Sequence, residues 1–348
     1  MKVLIVDDSV VFRLAIKQAL GEIASVEIVE ALSNGQLAVD YLKKGSPVDL
    51  VTLDMEMPVL DGMETIKKIR EFNKRVPIIV FSSLTTKGAE KTIEALSLGA
   101  NDFVAKQDSG GAGSIDASLA MIRENLLPKI KAFQKMITIR NAPTPKSVNQ
   151  QLDQEIDLPI KPKIIVMASS TGGPEALSKV FRNLKGGQNV PILLVQHMPP
   201  IFTAKLADML NRISAGYTVL EAKGGESLEP SHCYVAPGDY HMVLDSQGLI
   251  QLNKKEKDCF VRPAANCLFE SVAQNFKQKV ASFVLTGMGE DGARGVVELS
   301  KHESYNFYQD QGSCTVWGMP AAIERSGLGK CLELSHIPEV INYINSRI

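Results

Sequence analysis

Five polar side chains stand where short apolar runs end in the N-terminal third of the chain. Asp7 and Asp8 follow the first run, Asp54 the second, Ser82 the third and Lys106 the fourth. Apolar runs that alternate with helix-like segments predict buried parallel strands, and ligands of such sheets bind outside the carboxyl ends of the strands. The sequence therefore predicts one pocket of carboxylates, a hydroxyl and an ammonium group. The alternative is that each is an ordinary polar loop residue.

This group of side chains predicts phosphoryl chemistry. Three carboxylates in one cleft repel each other unless a cation neutralises them, and Mg²⁺ is the expected ion because its preferred ligands are oxygens and waters. A metal ion and a lysine together offset the charge on phosphoryl oxygens while a carboxylate attacks phosphorus in line. The product of that reaction is an aspartyl phosphate.

The first 120 or so residues resemble the receiver domains of bacterial two-component response regulators. The resemblance rests on the Asp7-Asp8 pair, on Asp54 with Met57-Pro58 and Asp61-Gly62 behind it, on Ser82, and on residues 99–103 leading to Lys106. One departure is Gln107, because receivers usually have a proline after the lysine.

The resemblance also implies roles for these residues. Asp54 corresponds to the phosphoacceptor. The metal ligands are Asp8, Asp54 and the backbone carbonyl of Glu56, with Asp7 behind them. The switch that senses the phosphoryl group consists of Ser82, Phe103 and Lys106.

Length and composition limit the remaining possibilities. A chain of 348 residues suggests two domains. A formal net charge of -1 without a sustained basic stretch predicts no nucleic-acid partner. No long apolar window occurs, and Met1 runs into a strand, so we expect a cytoplasmic protein without membrane insertion. The cysteines are odd in number and widely spaced, which favours reduced core residues: Cys233, Cys259, Cys267, Cys314 and Cys331.

A change in composition marks the domain boundary. An amphipathic stretch at residues 118–139 precedes a segment rich in proline, asparagine and glutamine that continues to Pro162, and this bias is typical of linkers. The sequence predicts a receiver at residues 1–125, its end helix and a linker at 126–162, and a second domain at 163–348. The expected fold class is α/β, with a flavodoxin-like (βα)5 receiver and a doubly wound parallel sheet in the second domain.

The second domain repeats the pattern of polar residues after apolar strands. Ser170 follows a predicted strand at residues 163–168, His197 follows one at 190–195, and Asp291 lies beyond one at 282–285. A serine, a histidine and an aspartate at one sheet edge can act as nucleophile, base and orienting acid, and amides at the next helix start can bind an oxyanion. This arrangement predicts a serine hydrolase without a cofactor.

Two other interpretations of these loops stay open. Gly172-Gly173 is also compatible with phosphate binding, and His197 with a satisfied core histidine. The turn lacks the glycine patterns of dinucleotide folds and P-loops, which disfavours a nucleotide. It also lacks Gly-x-Ser-x-Gly, and the order Ser, His, Asp differs from that of α/β-hydrolases.

From residue 163 onward the chain resembles the catalytic domain of the protein-glutamate methylesterase (CheB) family of chemotaxis. The shared motifs are residues 170–177, 196–200, 235–239 with His241, 285–289 with Asp291, and 318–320. The resemblance implies that Ser170 is the nucleophile, His197 the base and Asp291 the orienting acid, with the backbone of Thr171 and Met288 at the oxyanion. It also implies a chemotaxis histidine kinase as phosphodonor and methyl-accepting chemoreceptors as substrate.

The chain departs from the family pattern at several positions. Ala168-Ser169 stands where the family usually has Gly-Ala, Ala264-Ala265-Asn266 replaces Ser-Val-Asp, and Glu290 replaces Asn or Asp. These changes leave substrate choice open and motivate an alternative, namely a receiver-controlled binding module with impaired catalysis. Transcriptional control is disfavoured because no basic recognition helix follows the linker.

Overall fold

The chain forms two compact units, Met1–Ala142 and Pro143–Ile348. The computed structural model describes residues 1–106, 115–141, 161–276 and 279–346. Gln107 and most of the predicted linker lie outside the described residues, so the boundaries predicted at residues 125 and 162 stay predictions.

The first unit is an open parallel sheet covered by helices. The strand order is β2-β1-β3-β4-β5, and neighbouring strands run parallel. The strands are β1 (Lys2–Val6), β2 (Glu27–Leu32), β3 (Leu50–Asp54), β4 (Ile78–Ser83) and β5 (Asp102–Lys106). The helices are α1 (Val10–Gly21), α2 (Gly35–Lys43), α3 (Gly62–Phe72), α4 (Thr86–Ser97), α5 (Ile115–Asn125) and α6 (Leu127–Asn141).

This strand order places a crevice between β1 and β3, where the chain changes direction across the sheet. The central strands β1 and β3 are mostly apolar and almost entirely buried, because helices cover both faces of the sheet. Side-chain caps start the helices close to the crevice: Ser9 accepts from the N–H of Phe12, and Asp61 accepts from the N–H of Glu64. Asp7 and Asp54 therefore lie at the topological switch point of the sheet.

The amphipathic stretch predicted at residues 118–139 consists of two helices, α5 and α6. The break falls at Leu126, and Pro128 occupies the first turn of α6, where its missing N–H costs no helical hydrogen bond.

The second unit contains a larger parallel sheet and a separate antiparallel hairpin. The sheet order is β14-β13-β12-β6-β7-β9-β8, and β10 pairs with β11. The strands are β6 (Ile164–Ser169), β7 (Ile192–Gln196), β8 (Thr218–Glu221), β9 (His232–Val235), β10 (His241–Leu244), β11 (Ile250–Asn253), β12 (Val280–Val284), β13 (Ser304–Gln309) and β14 (Lys330–Leu332). The helices are α7 (Gly173–Arg182), α8 (Phe202–Ile213), α9 (Ala265–Asn275), α10 (Ala293–Leu299), α11 (Met319–Ser326) and α12 (Ile337–Ser346).

The centre of this sheet is a second topological switch point. From β6 the chain adds β7, β9 and β8 on one side, and later adds β12, β13 and β14 on the other. The carboxyl ends of β6, β7 and β12 therefore border one crevice. Both sheets confirm the predicted α/β class with a flavodoxin-like first domain and a doubly wound second domain. Among the described residues, no helix combines the length and apolar character needed to cross a bilayer.

Candidate functional site

The receiver crevice brings together the acidic residues and the lysine expected from the sequence. Carboxylate oxygens of Asp7, Asp8 and Asp54 all lie within 4.8 Å of one another. Lys106 Nζ lies 2.8 Å from Asp54 Oδ1 and 3.2 Å from Asp7 Oδ2. Asp7 and Asp54 are buried, whereas Asp8 is exposed. The Asp54 carboxylate is thus held at the floor of the crevice beside a single ammonium group.

The pKa shifts of these groups indicate that this ammonium does not balance the buried negative charge. Burial raises the pKa of Asp7 to about 6, although Lys106 acts in the opposite direction. Burial also raises the pKa of Asp54 against the effect of Lys106. Burial alone would lower the pKa of Lys106, but the charges of Asp54 and Asp7 outweigh it and raise that pKa. An oxygen-rich site with excess negative charge fits a hard divalent cation.

Of the proposed switch residues, Lys106 contacts the acidic cluster, whereas Ser82 bonds to a helix instead. The Ser82 hydroxyl donates 3.0 Å to the carbonyl of Gly88 in α4, and among the described contacts none joins Ser82 to Asp54. Phe103 is buried in β5. Lys106 Nζ also lies 4.5 Å from the ring centroid of Phe12. Sequence analysis did not identify this aromatic residue, because its packing depends on the tertiary fold.

In the second unit, Ser170, His197 and Asp291 border the same crevice. Ser170 directly follows β6, and its Cβ lies 2.9 Å from where a Cβ on Gly287 would stand. The backbone N–H of His197 donates 3.1 Å to the carbonyl of Ser169. His197 Nε2 lies 2.8 Å from Asp291 Oδ2. A histidine paired with a buried carboxylate thus lies one strand away from the serine.

The N-terminus of α9 holds the Asp291 carboxylate. Asp291 Oδ2 accepts from the Ala265 N–H at 2.5 Å, and Oδ1 accepts from the Asn266 N–H at 2.9 Å and from the Gly292 N–H at 3.0 Å. The first amides of a helix carry partial positive charge and stabilise an anion. The N-cap residue of the helix makes no side-chain hydrogen bond to it, so Asp291, which is distant in the sequence, caps the helix instead.

These contacts show where the residues that differ from the family pattern lie in the structure. Ala264 is the N-cap of α9, and its N–H donates 3.2 Å to His241 Nδ1. Asn266 Oδ1 accepts from the N–H groups of Gly292 at 3.0 Å and Gly295 at 3.1 Å. The asparagine therefore supplies the acceptor that caps α10. Ala168 lies within β6, and its methyl group is part of the hydrophobic core rather than of the turn.

Gln196 joins the turn after β6 to the turn after β7. Its Oε1 accepts from the Ser169 hydroxyl at 2.6 Å. Its Nε2 donates to the carbonyl of Ser170 at 3.0 Å and to that of His197 at 3.2 Å. Sequence analysis included Gln196 in a shared motif but gave it no role, although its position at the end of an apolar strand, just before His197, was a usable signal.

Hydrogen bonds to the carbonyl groups of Ser170 and Gly287 fix the orientation of the peptide groups that follow, and these carry the N–H groups of Thr171 and Met288. The Ser170 carbonyl accepts from Gln196 and from the Gly173 N–H at 2.8 Å. The Gly287 carbonyl accepts from residues 318 and 319 at 3.0 and 2.9 Å. Because the C=O and N–H of a trans peptide point in opposite directions, the N–H of Thr171 and that of Met288 point away from these partners. This geometry suits an oxyanion site beside Ser170.

These features define a class of protein in which a receiver domain is followed by a parallel-sheet domain that resembles a hydrolase. The response regulator receiver domain model matches residues 3–110, and the CheB methylesterase model matches residues 165–341. The chain belongs to the CheB methylesterase family.

Full-length relatives share both domains. A protein-glutamate methylesterase/protein-glutamine glutaminase of Trichodesmium erythraeum is 37% identical, covering 98% of this chain and 97% of that protein. One of Pyrococcus abyssi is 38% identical, covering 98% and 92%. The crystal structure of the Thermotoga maritima CheB methylesterase catalytic domain is similar with a TM-score of 0.51 and 38% identity, covering 53% of this chain and all of that one.

Proposed function

We propose that this chain is a receiver-controlled protein-glutamate methylesterase of chemotaxis. It hydrolyses γ-glutamyl methyl esters of chemoreceptors, releasing methanol, and also deamidates receptor glutamines. The full-length relatives that carry this name support the activity. The structural observation on which the proposal rests is the 2.8 Å contact between His197 Nε2 and Asp291 Oδ2, at the crevice that Ser170 borders.

The proposed reaction uses Ser170 as nucleophile and His197 as base. His197 Nε2 faces Asp291, so Nδ1 is the nitrogen that takes the Ser170 proton as Oγ attacks the ester carbonyl carbon. The proton then passes to the methoxy oxygen, and methanol leaves an acyl-serine. Water then loses a proton to His197 and attacks the acyl carbon, and His197 returns that proton to Ser170 Oγ as the C–O bond breaks and the glutamate side chain is released. Asp291 orients the imidazole and stabilises its protonated form.

The oxyanion of this reaction would be held by the N–H groups of Thr171 and Met288. Each such donor is typically worth about 3 kcal/mol of transition-state stabilisation. Gly287 supports this arrangement because a Cβ there would clash with Ser170 and with the Met319 sulfur.

The proposed regulator is Asp54, which takes a phosphoryl group from a chemotaxis histidine kinase. A Mg²⁺ ion would be held by Asp8, Asp54 and the Glu56 carbonyl, with Asp7 behind them, and would offset the charge of the phosphoryl oxygens. Asp54 supplies the attacking oxygen. Lys106, 2.8 Å away, is placed to bind a phosphoryl oxygen. Ser82 and Phe103 would then respond to the phosphoryl group.

Regulation of the second domain by the first is proposed from the sequence of the linker. We expect the unphosphorylated receiver to cover the hydrolase mouth and the phosphoryl group to favour an open arrangement. A fragment beginning at Lys161 should then hydrolyse receptor esters faster than the unphosphorylated full-length protein. A folded fragment that is clearly slower would contradict the covering arrangement. We propose that the protein acts in the cytoplasm, without nucleic acid.

The departures at residues 168 and 264–266 motivated an alternative function as a binding module. The structure offers little support for it, because Ala168 packs in the core and Asn266 keeps its capping contacts.

Methanol release from a methylated chemoreceptor tests the proposed function. The full-length protein is incubated with receptor, acetyl phosphate and Mg²⁺, and the Ser170→Ala variant serves as the control. We expect methanol release from the wild type that rises with acetyl phosphate and is lost in the variant. Binding of the receptor without methanol release would favour the binding module instead.

A further inference from the structure

A tight turn next to Asp291 holds a bulky side chain in an unusual backbone conformation. Asp258 and Val261 exchange two backbone hydrogen bonds of 3.2 and 2.9 Å. The residues between them, Cys259 and Phe260, have φ angles of +49° and +65°. Such two-residue turns favour Asn-Gly, because positive φ is unfavourable for residues with a Cβ. The chain thus maintains an aromatic residue where the backbone disfavours one, and such strain concentrates at functional sites.

The ring of Phe260 is open to solvent. Its side chain is 93% exposed, the highest value among the large apolar side chains of the described residues. Burial of an exposed aromatic ring is among the largest single contributions to binding. Nothing in the packing of the second unit explains why a phenylalanine stands here.

The turn is attached to the same helix end that holds Asp291. Ligand atoms of Asp258, Cys259 and Asp291 lie within 4.8 Å of one another. Asn266 Nδ2 lies 3.5 Å from Asp258 Oδ1, and Asp258 is ion-paired with Arg294. A protein that presents a side chain to this site therefore comes close to Phe260.

The residues before the turn are mostly basic. The sequence from 254 to 257 is Lys-Lys-Glu-Lys, and all of these residues are exposed. Lys254 pairs with Asp239 at 2.9 Å and lies 4.6 Å from the ring centroid of Tyr240, which is also exposed. Basic and aromatic side chains together favour an acidic partner that also carries apolar residues.

We propose that residues 254–260 form a docking surface for the substrate protein, with Phe260 as its apolar anchor and Lys255 and Lys257 facing acidic residues near the ester. This inference rests on the proposed function and adds to it a site that recognises the protein rather than the ester. Each ester that is hydrolysed leaves a glutamate carboxylate on the substrate protein, which gives the charge complementarity. A bilayer is a less suitable partner, because it would cover the same mouth through which the ester must enter.

The test compares a protein ester with a small ester on the full-length, acetyl-phosphate-treated enzyme. The protein ester is a methylated soluble receptor fragment, and the small one is the γ-methyl ester of an N-acetylglutamate amide. For Phe260→Ala we expect kcat/KM on the receptor to fall about tenfold relative to that on the small ester, mainly through KM. The double change Lys255→Glu and Lys257→Glu should act in the same direction and weaken the salt dependence.

Matched controls separate docking from folding. Leu328→Ala and Lys330→Glu alter exposed residues elsewhere in the second unit and should leave the ratio of the two rates unchanged. Cys259→Asn combined with Phe260→Gly should relieve the backbone strain, so we expect a higher Tm together with the same loss on the receptor.

Several results would overturn the docking surface. One is a ratio of kcat/KM on the receptor to kcat/KM on the small ester that does not change in Phe260→Ala, and another is an equal loss of kcat/KM on both esters. A change seen only in the enzyme without acetyl phosphate would indicate that the receiver occupies this surface. Binding to phosphatidylglycerol vesicles that is lost in Phe260→Ala, with an unchanged ratio, would indicate a membrane. If the wild type hydrolyses neither ester, it is the proposed function that fails.

Discussion

The Ser169 hydroxyl donates a 2.6 Å hydrogen bond to Gln196 Oε1, although Ser169 is the residue beside the candidate nucleophile. Ser169 and Gln196 are both buried, and their contact crosses from the end of β6 to the end of β7. Side chains alternate along an extended strand, so Ser169 and Ser170 cannot face the same way. Ser169 is thus part of the sheet edge, and Ser170 borders the crevice.

The first prediction separates these two serines. Ser170→Ala should reduce methanol release by several orders of magnitude, as loss of a triad member does. Ser169→Ala should keep turnover nearly unchanged but lower the free energy of unfolding by about 1–2 kcal/mol, since Gln196 Oε1 loses its donor. Methanol release and urea unfolding of both variants are the measurements. An active Ser170→Ala enzyme beside an inactive Ser169→Ala enzyme would show that this turn has been misinterpreted.

The second prediction concerns Gln196 as a positioning residue. Gln196→Glu removes the two donors to the Ser170 and His197 carbonyls, so we expect kcat to fall about 100-fold with KM little changed. Labelling of Ser170 by a sulfonyl fluoride should slow by a similar factor. Gln188→Glu is the matched control, because Gln188 is also buried but contacts Lys185 and Asn342 instead. An equal loss of kcat in both variants would indicate a general effect on folding.

The sequence predicted the fold class and the strand ends because both depend on local patterns. Apolar runs define the strands, and Ser170 and His197 directly follow two of them. It did not predict how Asp291 is held, because two of the three amides that bind it belong to the start of α9, where Ala265 lies 26 residues away in the chain. The orientation of Ser82 toward Gly88 was not predictable either, since a hydroxyl chooses its acceptor only after α4 has packed.

The third prediction tests the cap that Asn266 provides. Asn266→Ala leaves the buried N–H group of Gly295 without its acceptor, whereas the Gly292 N–H keeps Asp291 Oδ1, so the free energy of unfolding should fall by about 1–2 kcal/mol. Asn266→Asp keeps an acceptor oxygen and should recover much of this loss. Thermal unfolding of the two variants distinguishes the cases. Equal stability of the alanine variant and the wild type would mean that the contacts contribute nothing measurable.

The fourth prediction assigns the phosphoacceptor. Asp54→Asn should lose acid-labile labelling by acetyl phosphate and the activation that accompanies it, because an amide is a poor nucleophile and weakens the metal site. Asp61→Asn is the matched control, since Asp61 caps α3 and asparagine caps a helix equally well. Undiminished labelling of the Asp54 variant would move the phosphoacceptor elsewhere.

The last prediction concerns the stability of the receiver without metal. Burial raises the pKa of Asp7 from 3.8 to about 6, so the folded state binds a proton more tightly than the unfolded state. The associated stability is present below pH 4 and is lost as the pH rises to about 6, a difference of about 3 kcal/mol. In EDTA at pH 7.5, Asp7→Asn should therefore be more stable than the wild type, and the gap should close near pH 4. Added Mg²⁺ should narrow the gap by binding to the wild type.

Urea unfolding at the two pH values measures this difference, and Glu124→Gln is the control because Glu124 is an exposed carboxylate of the same unit. The control should show no comparable gain. An Asp7→Asn variant that is less stable than the wild type at pH 7.5 would mean that the 3.2 Å contact with Lys106 outweighs the cost of burying the carboxylate.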